Sequence, residues 1–175
     1  MNLPNTITFV RVVLIPVFIG LMSYGYYRIA LFVYVAACLT DALDGLIARL
    51  TNTKTELGAF LDPMADKLLI VTSFVTLALL GNIPAWLVII VISRDVILLL
   101  GGSVIHFTGR RLIIQPSVLG KITTFCQLLV VTATLVLIAY GVKATTLFQG
   151  AYWLTAGVTI ASGVQYIHRG MRLMA

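Results

Sequence analysis

The chain has 175 residues, of which 60% are hydrophobic and only 10% charged, with twelve Lys and Arg against six Asp and Glu, a net charge of +6 and a mean hydropathy of +1.06. That composition excludes an ordinary soluble domain and predicts a polytopic membrane protein. The basic residues do not cluster as on a nucleic-acid-binding domain, so no nucleic acid is expected, and membrane lipids and phosphate-bearing substrates are the expected partners. Cys38 and Cys126 lie in apolar stretches without metal or disulfide spacing and read as small buried hydrophobes.

A membrane span needs about 20 mostly apolar residues. Six such stretches follow one another, roughly at 6–24, 28–49, 57–80, 84–107, 117–140 and 145–166. Breaks fall at Gly25, at 51–55, at 81–84, at 108–116 and at 141–144. The first apolar run, after Arg11, has no small-residue cleavage site behind it, and Tyr24, Tyr26 and Tyr27 read as an interfacial belt, so it is expected to remain as a span. The fold class expected is all-α integral membrane, with six transmembrane helices in a single domain over 1–175.

Basic residues set the orientation. With the N-terminus in the cytoplasm, Arg11, Arg49, Lys54, Arg110, Arg111, Lys121, Arg169 and Arg172 lie on or near the inner face, while Arg28 and Lys143 lie on outer loops. Both termini are then cytoplasmic, and a multi-pass protein of the cell (inner) membrane is expected.

Along the first span, Asn5, Thr8 and Arg11 recur every third residue after Pro4 and form one polar edge. The second and third spans carry Asp41, Asp44, Asp62 and Asp66, four of the six acidic residues. Positions three and four apart share a helix face, so each pair points one way, with Gly45 and Ala48 beside the first. If the link at 51–55 folds the helices back antiparallel, the four carboxylates converge. Ionisable groups at membrane depth mark functional sites, and carboxylates sharing a site repel one another unless a cation intervenes. Oxygen donors without Cys or His favour a hard ion, Mg2+ or Mn2+, and four carboxylates suffice for two. Two such ions suit chemistry at phosphate.

Further along, Lys67 follows Asp66 and either balances the acidic site or binds a lipid phosphate. Arg94-Asp95 lies inside the fourth span, as a structural ion pair or as an acceptor-phosphate site. Arg110, Arg111 and Lys121, flanking Pro116, extend that phosphate site or serve only the positive-inside asymmetry. His106 and His168 read as interfacial, and Gly101, Gly102, Gly157 and Gly163 as helix-packing positions.

Asp41-x2-Asp44-Gly45-x2-Ala48-Arg49, then eight residues, then Gly58-x3-Asp62-x3-Asp66 resembles the signature of the CDP-alcohol phosphotransferase family of integral membrane enzymes at every specified position. The resemblance implies a CDP-diacylglycerol donor and CMP as the released product. It implies metal ligation by Asp41, Asp44, Asp62 and Asp66, with Asp66 also the general base. Gly45 and Gly58 make room for cytidine and phosphates, Ala48 keeps that face shallow, and Arg49 pairs with a phosphate. Asn5, Thr8 and Arg11 join the CDP-diacylglycerol site, and a homodimer is implied. Within the family, the opening, the 61–67 stretch and the 120–124 segment resemble phosphatidylglycerophosphate synthases, which use glycerol 3-phosphate. Ser93-Arg94-Asp95-Val96 instead resembles cardiolipin synthases, whose acceptor is phosphatidylglycerol. From a different class, an ion transporter or channel would also place aspartates in a membrane, though without the interleaved Gly and Ala.

Overall fold

In a computed structural model, residues 3–51, 56–107, 117–142 and 148–174 are described, with side chains over 10–40, 67–99, 117–142 and 148–170. Six helices make up the described chain: α1 Leu3–Ser23, α2 Tyr27–Thr51, α3 Glu56–Leu79, α4 Ala85–Phe107, α5 Val118–Ala139 and α6 Gln149–Met174. They match the six expected stretches to within a few residues, except that α6 runs past 166 to Met174. Span length follows hydrophobic thickness, whereas a helix continues as long as its backbone bonds do; Arg169 and Arg172 in the added turns suit the negative end of its dipole.

Three turns share one local design. At the end of α1, Tyr26 N–H bonds the Leu21 carbonyl and Gly25 N–H the Met22 carbonyl, a Schellman closure that requires a left-handed residue, here Gly25 at φ 80°. The same pair of bonds closes α3 around Gly81 and α5 around Gly141. These turns lie at one end of the bundle. Arg28, opening α2, donates to the Ala139 carbonyl at 3.3 Å, and Tyr152, near the start of α6, donates to the Asn82 carbonyl at 3.1 Å. Trp86 stacks on Trp153 at the same end, with centroids 4.6 Å apart.

Registers follow from a few contacts. Phe18 meets Tyr34 at 5.8 Å in the α1–α2 pair. Trp86–Trp153 and Arg94–Ser162 make α4 and α6 parallel neighbours, whereas Ser117–Tyr166 and Gln127–Thr159 make α5 and α6 antiparallel. The core is apolar, built on Phe18, Met22, Phe74, Leu77, Leu87, Val91 and Leu135. The α5–α6 seam is instead polar. Thr155, Thr159 and Ser162 are buried at spacings of four and three, and Gln127 reaches Thr159 across the seam at 3.4 Å, the kind of bond that holds helices together where no hydrophobic force does.

Outward surfaces are apolar as well, including Phe32, Ile89 and Leu79, which is 84% exposed. Among the described residues, α5 is long and apolar enough to cross a membrane, with a mean hydropathy of 2.2, and shorter apolar stretches occupy Val10–Ser23, Tyr27–Thr40 and Lys67–Leu79. Cys38 and Cys126 are half-buried rather than buried, and no disulfide joins them. His168 is exposed.

Candidate active site

The buried stripe of α1 runs Arg11, Ile15, Phe18, Met22, spacings of four, three and four that keep one face inward. Since α1 packs against α2 and α3, Arg11 lies wholly buried against the two helices that carry the acidic motif. Seven positions along each antiparallel helix from the Phe18–Tyr34 contact, Arg11 comes level with position 41. A guanidinium this deep needs compensation nearby. The backbone thus brings one expected substrate-binding residue to the height of the first motif aspartate.

The motif itself occupies the last turns of α2 (41, 44, 45, 48 and 49) and the first turns of α3 (58, 62 and 66). Both segments are helical, so the spacings of three and four place each Asp pair on one helix face. The side chains of Asn5, Thr8, Asp41, Asp44, Gly45, Ala48, Arg49, Gly58, Asp62 and Asp66 lie outside the described residues, as do Gly101, Gly102, His106, Arg110, Arg111 and the 52–55 link.

Immediately after Asp66, the described side chains form a basic cavity of about 460 Å³, lined by Lys67 of α3, Arg94 and Leu98 of α4, Gly120, Lys121, Thr124, Phe125 and Leu128 of α5, and Tyr166 of α6. Arg94 and Lys121, two of the four residues expected at an acceptor phosphate, therefore share one wall space, and Lys67 joins them. Arg94 is buried. Its Nη1 donates to Asp95 Oδ1 at 2.8 Å and its Nη2 to Ser162 Oγ at 3.1 Å, while its buried Nε has no hydrogen-bond partner among the described residues. Arg94 thus pairs with Asp95, as one of its two expected roles required, and it also lines the cavity. Lys67 Nζ also bonds Asp95 Oδ1.

The far wall is fixed by α5 and α6. Ser117 caps α5 by accepting the Gly120 N–H at 3.0 Å, and Ser117 N–H donates to Tyr166 Oη at 3.1 Å. Arg94 also lies 5.9 Å from the Tyr166 ring centroid, within cation–π range. Gly120 permits this closeness, because a Cβ there would lie 3.0 Å from Tyr166 Oη. Gly163 serves packing more loosely, with the Arg94 stem 3.7 Å from its would-be Cβ, and Gly157 has no neighbour within 4 Å among the described residues. Tyr166 and Ser162 were not singled out from sequence. Their signal was present: Thr155, Thr159, Ser162, Tyr166 and Arg169 recur at helical spacing as one polar edge.

Chemically, the cavity presents three cations beside apolar side chains, a place for an anionic group attached to a less polar body. Among the residues whose side chains are described no cluster of three metal-ligating side chains occurs; Asp95 is the one acidic side chain among them, and the other five acidic residues of the chain fall in 41–66.

Comparison with known proteins identifies the family. The family model for CDP-alcohol phosphatidyltransferase matches residues 1–161. The chain is 35% identical to a probable phosphatidylglycerophosphate synthase of Mycobacterium tuberculosis, over 98% of this chain and 82% of that protein. It is 32% identical to a CDP-diacylglycerol--glycerol-3-phosphate 3-phosphatidyltransferase of Bacillus subtilis, over 96% and 94%. Human cardiolipin synthase (CMP-forming) is 34% identical over 98% of this chain and 62% of its own length. The chain, with its acidic motif on α2 and α3 and its basic cavity beside them, belongs to the CDP-alcohol phosphatidyltransferase family of transferases.

Proposed function

We propose that this protein makes phosphatidylglycerophosphate from CDP-diacylglycerol and glycerol 3-phosphate, releasing CMP, as a step of phospholipid biosynthesis. The observation that carries the reading is the cavity walled by Lys67, Arg94 and Lys121 and starting one residue after Asp66. An acceptor bearing its own phosphate can be gripped there while its free hydroxyl reaches toward the acidic helices.

In this reading the hydroxyl attacks the phosphorus attached to diacylglycerol, a new P–O bond forms, the pyrophosphate bond breaks, and CMP departs with the electron pair. Asp66 takes the hydroxyl proton. Arg94 offers its guanidinium, and Lys67 and Lys121 their ammonium groups, to the acceptor phosphate; charge-assisted bonds of this kind are the strong ones. Arg110 and Arg111, nearby in sequence, extend that site. Arg11, Asn5 and Thr8 line the donor side, with Gly45, Ala48 and Gly58 leaving space for the nucleotide and Arg49 pairing with its phosphate. The donor set fits hard divalent ions. Asp41, Asp44, Asp62 and Asp66 would hold two of them, Mg2+ or Mn2+, which would supply positive charge to the pyrophosphate.

The six helices are read as six spans of the cell membrane, with both termini and the site facing the cytoplasm and the three glycine turns outside; a homodimer completes the proposal. A second reading, phosphatidylglycerol as acceptor in a cardiolipin synthase reaction, draws on Leu98, Phe125 and Leu128, which give the cavity apolar lining. Parallel incubations with CDP-diacylglycerol and either glycerol 3-phosphate or phosphatidylglycerol separate the two. Phosphatidylglycerophosphate with equimolar CMP is expected from the first; a lipid product formed only with phosphatidylglycerol overturns it. Asp66→Ala, recovered folded, should abolish CMP release.

A further inference from the structure

Asp95 is buried, with 8% of its side chain exposed, and it holds two cations on a single oxygen. Arg94 Nη1 reaches Oδ1 from the same helix at 2.8 Å, and Lys67 Nζ reaches it from α3. Neutralising Arg94 alone would not require the second bond. The Lys67 side chain is 34% exposed, enough for its ammonium to find solvent without a protein partner.

Geometry gives the arrangement a purpose. Neighbouring residues on a helix leave the axis about 100° apart, so Arg94 and Asp95 diverge at the backbone, and their bond fixes the direction of the guanidinium. With Nη2 held by Ser162, two edges of the fork are spent and Nε is left over. The lysine stem, otherwise free to sweep several rotamers, is drawn to the same point. Two positive groups from different helices thus stand side by side on one cavity wall.

We propose that Asp95 is a positioning residue for the acceptor: it yokes Lys67 and Arg94 into one phosphate-binding clamp joined to the acidic end of α3. This rests on the acceptor reading given above. The carboxylate itself repels a phosphate, so an Asp95 that merely sat nearby would weaken acceptor binding, and its removal would improve it. The clamp demands the opposite sign.

The test uses the full-length enzyme in detergent with CDP-diacylglycerol and glycerol 3-phosphate. Asp95→Asn is expected to raise KM for glycerol 3-phosphate about tenfold or more, with KM for CDP-diacylglycerol changed less than about twofold. Asp95→Glu, which keeps the charge, should recover most of that loss. Lys67→Met should raise the same KM, and the Lys67→Met/Asp95→Asn double variant should cost far less than the product of the singles, because the two act as a unit. If Asp95→Asn is not recovered folded, Lys67→Met and Asp95→Glu are read alone: the former must raise KM for glycerol 3-phosphate and the latter leave it within about threefold. An unchanged or lowered KM in Asp95→Asn, a lower melting temperature alone, or multiplying effects in the double variant overturns the clamp. Wild type inactive with glycerol 3-phosphate overturns the acceptor reading instead, before any variant is measured.

Discussion

Tyr166 Oη accepts a hydrogen bond from the Ser117 backbone N–H at 3.1 Å, tying the late turns of α6 to the cap of α5 across 49 positions of sequence. Tyr166→Phe removes one partly buried bond and is expected to cost about 1 kcal/mol in stability. Gly120→Ala is expected to do more. Its new Cβ would sit 3.0 Å from Tyr166 Oη and 3.2 Å from Ser117 Oγ, so the wall must shift. Thermal unfolding should show both losses, and acceptor KM should rise several-fold for Gly120→Ala.

Arg94 offers a sharper contrast. Lysine keeps the charge but not the planar fork that serves Asp95 and Ser162 at once. Arg94→Lys should raise KM for glycerol 3-phosphate by about tenfold, and Ser162→Ala, which loosens only Nη2, by roughly two- to fivefold. Steady-state kinetics with each substrate varied in turn checks both, since KM for CDP-diacylglycerol should hold.

At the opposite end of the bundle the expectation reverses. Gly81 sits at φ 72°, a conformation that costs an L-residue about 1–2 kcal/mol. Gly81→Ala should therefore lower the melting temperature while leaving both KM values as they were. A shift in acceptor KM would mean that the turn end and the cavity are coupled.

Membrane orientation is open to chemical labelling. Tyr26 and His168 are exposed at opposite ends of the bundle. With Cys38 and Cys126 replaced by serine, Tyr26→Cys should react with an impermeant maleimide in intact cells, and His168→Cys only after permeabilisation. The reverse pattern would turn the protein over.

What the sequence made legible was local. Gly25, Gly81 and Gly141 could be read as breaks because a left-handed closure after an apolar run is written in one residue and its neighbours. Arg94 and Lys121 could be read as phosphate candidates because a cation inside an apolar chain needs a reason. That Lys67, Tyr166 and Ser162 join them was not legible, because those contacts depend on the register between helices 28 to 68 residues apart. The polar edge of α6 carried part of that message, but its hydroxyls are also what any close helix seam would use. The overshoot of α6 beyond 166 was hidden for a different reason, since hydrophobicity marks the bilayer and not the end of a helix.

Whether the aspartates of α2 and α3 share divalent ions is decided by Mn2+ binding followed by electron paramagnetic resonance. The purified protein should take up two Mn2+ with the broadened signal of neighbouring spins, and Asp62→Asn, still folded, should lose at least one. Wild-type protein that binds no Mn2+, or binds single uncoupled ions unaffected by Asp62→Asn, would contradict a shared site.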